Sequence, residues 1–276
     1  IVMKLTRFIF LIIVLVSVPA TSGYALEQLI IAASPSLRLA VEALGRQFEA
    51  THPDVRVRLH LDSGLDLRRT IAGMENSTKG YFIGSGPIHL VAPGGDELIT
   101  RLEQKYYVLP GTRRAYAEER LVLVVPESLV EAPTSFAALK TDVKLRLAIG
   151  DPEKTTLGQK TKQLLTTLET WDGVQARLDE AADTRSVVDH VLNGQADVGI
   201  LFGPDAAREN QRLRIVAEAD RRLAAPVVHS MAMERYCPNR ALCGEFLEFI
   251  QSVEAQSTLK SLGYASAIPD RSQPQH

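Results

Sequence analysis

The chain has 276 residues, 45% of them hydrophobic and 23% charged, with 31 basic and 33 acidic side chains for a net charge of −2. So mild an acidic balance excludes a protein that holds nucleic acid by general electrostatic attraction. The length suffices for one large core or two smaller ones, and no low-complexity tract or repeat of solenoid period is present.

Lys4 and Arg7 precede an apolar stretch from Phe8 to Val18, followed by small residues up to Ala25. This pattern predicts a secretory signal peptide over residues 1–25, cleaved after Ala25, with Met3 a candidate first residue. The apolar run is about half of the roughly 20 residues that a spanning helix needs. Cysteine is missing there, so no lipid attachment is expected, and removal of Lys4 and Arg7 takes the net charge to −4.

Leu29 to Ala33 reads as a buried strand, and Leu37 to Ala50 as a helix with Leu37, Val41, Leu44 and Phe48 on one side. Asp54 to Leu61 alternates like a strand, Leu67 to Met74 is helical, and the Gly- and Ser-rich stretch from Asn76 to Pro87 is a loop. Ile88 to Val91 is a short strand and Asp96 to Gln104 a helix. In the second half, Leu121 to Val125 and Leu145 to Ile149 are strands, Phe136 to Leu139 a helical turn, and Lys160 to Leu168 a helix. Thr184 to Leu192 is a helix stopped at Asn193-Gly194, and Ala196 to Phe202 is a strand broken by Gly203-Pro204. Leu213 to Ala217 and Ala225 to Met233 are strands, and two helices close the chain at Ala241 to Ser252 and Ala255 to Leu262.

This alternation predicts an α/β fold with mostly parallel sheets. The βα units cluster before and after Leu121, so two lobes are expected: residues 26–120 with 227–270, and residues 121–226, leaving 271–276 as a tail. Crossings near Arg120 and Val227 would form a hinge, with the ligand in the cleft beyond the strand ends.

Four strand-to-helix junctions carry small or hydroxyl residues: Leu29 to Ser36, Val55 to Leu65, Leu145 to Gly158, and the turn at Asp183, Thr184 and Arg185. Such junctions aim bare N–H groups and the positive end of a helix dipole at one place, which suits an oxyanion. Asp151 and Glu153 would repel an anion and are expected to brace the lobe instead, while Arg38, Lys154 and Arg185 are expected to be solvated. Catalytic patterns are weak: Ser85 is not in a G-x-S-x-G elbow, and the six histidines show no zinc spacing. Cys237 and Cys243 have five residues between them. In an oxidising compartment they suit a local disulfide, with two buried thiols as the alternative, and no nearby His supports a metal site.

Five pieces stand in order along the chain: Ala32-Ala33-Ser34, Leu121 to Pro126, Ala148-Ile149-Gly150-Asp151-Pro152-Glu153 with Gly158, Thr170-Trp171-Asp172, and Ala196 through Phe202-Gly203-Pro204-Asp205-Ala206. Together they resemble the periplasmic molybdate-binding proteins of ABC importers. The likeness spans residues 28–268. It implies a two-lobed type 2 periplasmic-binding fold, helices on both sheet faces, and a hinge that closes on molybdate or tungstate held by neutral donors. Metal ions, cofactors, nucleic acid and catalysis have no part in it. The implied partner is an ABC permease in the inner membrane, and the implied receptor is a periplasmic monomer.

Carried over by position, the resemblance makes Ser34 a donor through its hydroxyl and N–H. A second serine of the family falls at Gly64, with Ser63 one place earlier. Backbone donors fall at Leu157 and Thr184, and a tyrosine hydroxyl falls at Phe202. A hydrogen bond to a charged group contributes about 1.5–3 kcal/mol, so losing the hydroxyls at Gly64 and Phe202 weakens binding about a hundredfold to ten-thousandfold unless Ser63 or Thr184 compensates. The alternatives are a divergent receptor for another oxyanion or organic anion, and a ligand-sensing adaptor for a membrane protein.

Overall fold

The computed structural model describes residues 26–61, 83 and 87–268. The expected signal peptide, the helix expected at Leu67 to Met74, the pair Ser63 and Gly64, and the tail at 271–276 lie outside the described residues. Two five-stranded sheets form the frame, one for each lobe of an α/β fold.

The first sheet contains β1 (Glu27–Ala33), β2 (Val55–Leu61), β3 (Leu90–Ala92), β4 (Arg114–Glu119) and β10 (Val227–Met233), in the order β2-β1-β3-β10-β4. Helix α1 (Arg38–Thr51), entered through a 3₁₀ turn at Pro35–Leu37, joins β1 to β2, and α2 (Asp96–Gln104) follows β3. Successive strand residues point to opposite faces. Ile31, Ala33, Leu90 and Met231 therefore pack against Val41, Leu44 and Phe48 of α1, and against Phe246 of α7 (Arg240–Phe249). Ala32, Val91 and Ala232, on the other face, cover Ile99 and Leu102 of α2. Helix α8 (Val253–Ser261) completes this lobe, and a disulfide joins Cys237 to Cys243 at the start of α7.

The second sheet holds β5 (Leu121–Pro126), β6 (Leu147–Gly150), β7 (Leu178–Ala181), β8 (Val198–Phe202) and β9 (Leu213–Glu218), in the order β7-β6-β8-β5-β9. Helices α3 (Thr156–Thr167), α4 (Trp171–Val174), α5 (Thr184–Leu192) and α6 (Gly203–Arg208) fill its connections. One continuous core runs from Leu121 to Ala224 through this lobe. Trp171, the chain's single tryptophan, packs against that core with Lys162 Nζ 5.5 Å from its ring centroid.

The two sheets share one plan. In each, three strands are parallel: β2, β1 and β3, and β7, β6 and β8. The remaining two pairings in each are antiparallel, so the sheets are mixed rather than mostly parallel. The antiparallel strands include those that carry the chain between sheets, β4 into β5 and β9 into β10. Arg120 is the one residue between β4 and β5, and its carbonyl accepts from Gly203 N at 3.0 Å. Beside it, the buried carboxylate of Glu118 pairs with Arg120 and with Arg221 of the return crossing, each at 3.2 Å.

Strands β4 and β7 and helices α4 and α6 go beyond the elements that the sequence pattern predicts. Arg114-Ala-Tyr-Ala-Glu-Glu and Leu-Asp-Glu-Ala are polar segments at sheet edges, where one neighbour suffices to make a strand. Gly203-Pro204 breaks β8 as expected but also starts a helix, because proline's missing N–H costs nothing in a first turn.

Candidate functional site

Strand order marks where a candidate site lies. After β1 the chain turns to β2 on one side, while β3 lies on the other, so the carboxyl end of β1 is a topological switch point. Ser34 stands there. Leu61 and Ala92 both pair with Ala33, so the three parallel strands end level beside it. The Ser34 N–H, which the resemblance made a donor, here donates to Ala92 O at 3.0 Å. What remains is the hydroxyl, 3.0 Å from the hydroxyl of Ser36, a partner that sequence reasoning did not select. Gly94 backs this pair, with φ +72, and a Cβ there would sit 2.8 Å from Ser34 Cβ.

The second lobe repeats the arrangement at β6, which has β7 on one side and β8 on the other. Gly150 ends β6, and a turn through Asp151 leads to Thr155, the N-cap of α3. Thr155 Oγ1 donates to Asp151 O and accepts from Gly158 N, both at 2.9 Å. Those bonds satisfy one first-turn amide and leave those of Thr156 and Leu157 without a partner inside the helix. The Leu157 side chain is buried, so its N–H is its polar contribution. Gly158 allows the close approach: a Cβ on it would lie 2.2 Å from Gly150 O.

Thr184 opens α5 next to this turn, since Gly150 and Ala181 are paired neighbours. Asp183 caps α5 by accepting from Ser186 N at 2.7 Å, and that bond holds its carboxyl below the usual range. Phe202 ends β8 with its ring buried in the core, and it supplies no hydroxyl. The structure thus brings Leu157 and Thr184 together in one lobe and sets Ser34 at the equivalent place in the other.

The charged neighbours are differently engaged. Asp151 accepts from Glu153 N and pairs with Lys154 Nζ at 2.6 Å, so it braces the turn, and the Lys154 hydrogen bond lowers its pKa. Arg185 is tied to Asp189 at 2.8 Å and to Glu209 at 2.9 Å. Arg208, which the sequence reading passed over, pairs with Asp205 at 3.0 Å. Burial pushes the Asp205 carboxyl up to about 6, with the nearby Glu119 carboxylate adding to the shift against the opposing effect of Arg208.

A cavity of about 320 Å³ is lined by Thr184 with Asp183, Asp205 and Glu209 on the acidic side and Arg185 and Arg208 on the basic side. A smaller one, about 90 Å³, brings Leu39 of α1 opposite Pro204 and Arg208 of α6. The first turn of α1, just past Ser34, therefore faces α6 of the other lobe. Among the described residues, no cluster of three or more His, Cys, Asp or Glu is placed to hold a metal ion.

A sequence profile of the bacterial extracellular solute-binding proteins matches residues 29–265. The chain belongs to that family. This solute-binding protein is therefore a binder by kinship rather than an enzyme. It is 26% identical over 238 residues, 86% of each chain, to YvgL of Bacillus subtilis, described as a candidate ABC transporter substrate-binding lipoprotein. It is also 26% identical over 186 residues to the molybdate-binding protein ModA of Haemophilus influenzae, covering 65% of this chain and 71% of that one. Among solved structures, the substrate-binding domain of a candidate molybdenum ABC transporter from Clostridium difficile superposes with a TM-score of 0.75 at 22% identity, covering 87% of this chain and 99% of that one.

Proposed function

We propose that this solute-binding protein captures a tetrahedral oxyanion, molybdate or tungstate, between its lobes and delivers it to an ABC permease. The observation that carries the reading is the doubled switch point: Ser34 at the end of β1, and the Thr155–Leu157 turn with Thr184 at the ends of β6 and β7. Each presents hydroxyls or first-turn amides, the groups that bind a dehydrated anion. The names of the molybdate-binding relatives support the choice of ion. In this reading the open form meets the ion with donors of one lobe, and binding to the second set shifts the equilibrium toward closure. The family's extracellular character and the pattern of residues 1–25 support export to the periplasm, and the proposed receptor acts as a monomer.

Two findings favour a second reading, a receptor for a different small anion. Phe202 offers no hydroxyl, and the cavity beside Thr184 carries carboxylates, which could accept from a protonated anion where a cage of donors alone could not. Calorimetry with molybdate, tungstate, sulfate and phosphate separates the two. Heat with molybdate or tungstate that is weakened in Ser34→Ala supports the first; binding of phosphate alone supports the second.

A further inference from the structure

We propose that Arg208 is a ligand-positioning cation of the cleft, released from Asp205 to the incoming anion as the lobes close. The inference rests on the oxyanion reading above and deepens it. Three cations lie near the second-lobe donors, and their counter-ions differ. Lys154 sits 78% exposed against Asp151, and Arg185 is held by two carboxylates. Among the described residues Arg208 pairs with Asp205 alone, and it lines both cavities, the one beside Thr184 and the one facing Leu39 across the lobes.

Its counter-ion is the weakest of the set. The Asp205 carboxyl is largely buried close to Glu119, so its charge is disfavoured there. A guanidinium whose partner is reluctant to ionise is ready to exchange it for a dianion, which presents more charge and more acceptor oxygens. The side chain is also about half exposed, leaving it room to move. Arg208 would thereby supply a donor in the lobe where Phe202 gives none.

The test is calorimetry of the purified protein with molybdate and sulfate at low and at physiological salt, for the unmodified chain, Arg208→Gln, Arg208→Lys and Asp205→Asn. The expected results are a tenfold or greater loss of affinity in Arg208→Gln with a flatter salt dependence, partial recovery in Arg208→Lys, and tighter binding in Asp205→Asn. Opposite signs for the two partners distinguish a ligand contact from a structural pair, whose loss moves both variants the same way. Equal affinity of Arg208→Gln and the unmodified protein overturns the inference and leaves the oxyanion reading standing. If Arg208→Gln does not fold, Asp205→Asn decides: tighter binding supports the proposal, and unchanged or weaker binding overturns it. An unmodified protein that gives no heat with either ion removes the oxyanion reading and this inference together.

Discussion

Gly203 and Gly263 face each other where the lobes meet. A Cβ on Gly203 would lie 2.3 Å from Gly263 O, and one on Gly263 would lie 2.5 Å from Gly203 O. Gly203 opens α6 of the second lobe, and Gly263 follows α8 of the first with φ +86. Neither position has room for a methyl group without moving backbone. Gly203→Ala is expected to destabilise by about 1–3 kcal/mol, and Gly263→Ala by more, because its backbone also disfavours a side chain. Thermal unfolding checks this, at about 2–4 °C per kcal/mol for chains of comparable size. An unchanged Tm in both variants would contradict the contact.

In the proposed oxyanion reading Thr155 couples stability to binding. Its hydroxyl caps α3 through Gly158 N and ties back to Asp151 O. Thr155→Ala is expected to cost about 0.5–2 kcal/mol and to weaken oxyanion binding as the first turn frays, whereas Thr155→Ser retains both. Denaturant titration and calorimetry on the same preparations report the two effects.

Asp205 gives a pH signature. Its carboxyl titrates at about 6 in the folded chain against 3.8 as the ordinary value, so between those limits the folded state holds a proton that the unfolded state has lost. This contribution to stability is full below pH 3.8 and disappears as pH rises through about 6. Its size is on the order of 2–3 kcal/mol. Asp205→Asn cannot lose that proton, so its stability relative to the unmodified protein should rise from pH 4 to pH 7 and level off above. A difference that stays flat across that range would refute the assignment. Asp183 and Asp151 act in the opposite sense, their lowered pKa values giving stability that is lost on acidification, and the comparison of variants cancels them.

Reduction should destabilise the first lobe. The bridge between Cys237 and Cys243 closes a short loop, and loop-closure entropy puts its contribution at about 2 kcal/mol. A reductant is expected to lower the Tm, and Cys237→Ser with Cys243→Ser should reproduce that fall and make the protein insensitive to the reductant.

The sequence was most informative where local pattern and tertiary role coincide. Strand β1, helix α2 and helix α5 are apparent from apolar periodicity and end signals, and Asp96–Gln104 and Thr184–Leu192 match to the residue. Ser34 stands out in the sequence because it closes a buried strand before a helix. The bond of its N–H to Ala92 O is not legible there, because it depends on β3, about 60 residues away. The setting of Arg208 is hidden for the same kind of reason: nothing local in Ala-Ala-Arg-Glu shows that α6 lies between two cavities. Glu118 likewise looks like a surface acid until Arg120 and Arg221 close over it.

The placement of Trp171 makes the two halves optically distinguishable. Its indole is packed in the second lobe, and the single sulfur bridge is in the first. Intrinsic emission therefore reports the local melting of one half, while a thiol reagent perturbs the other. Following fluorescence during reductant-assisted denaturation would reveal whether the halves come apart in one cooperative event or in sequence.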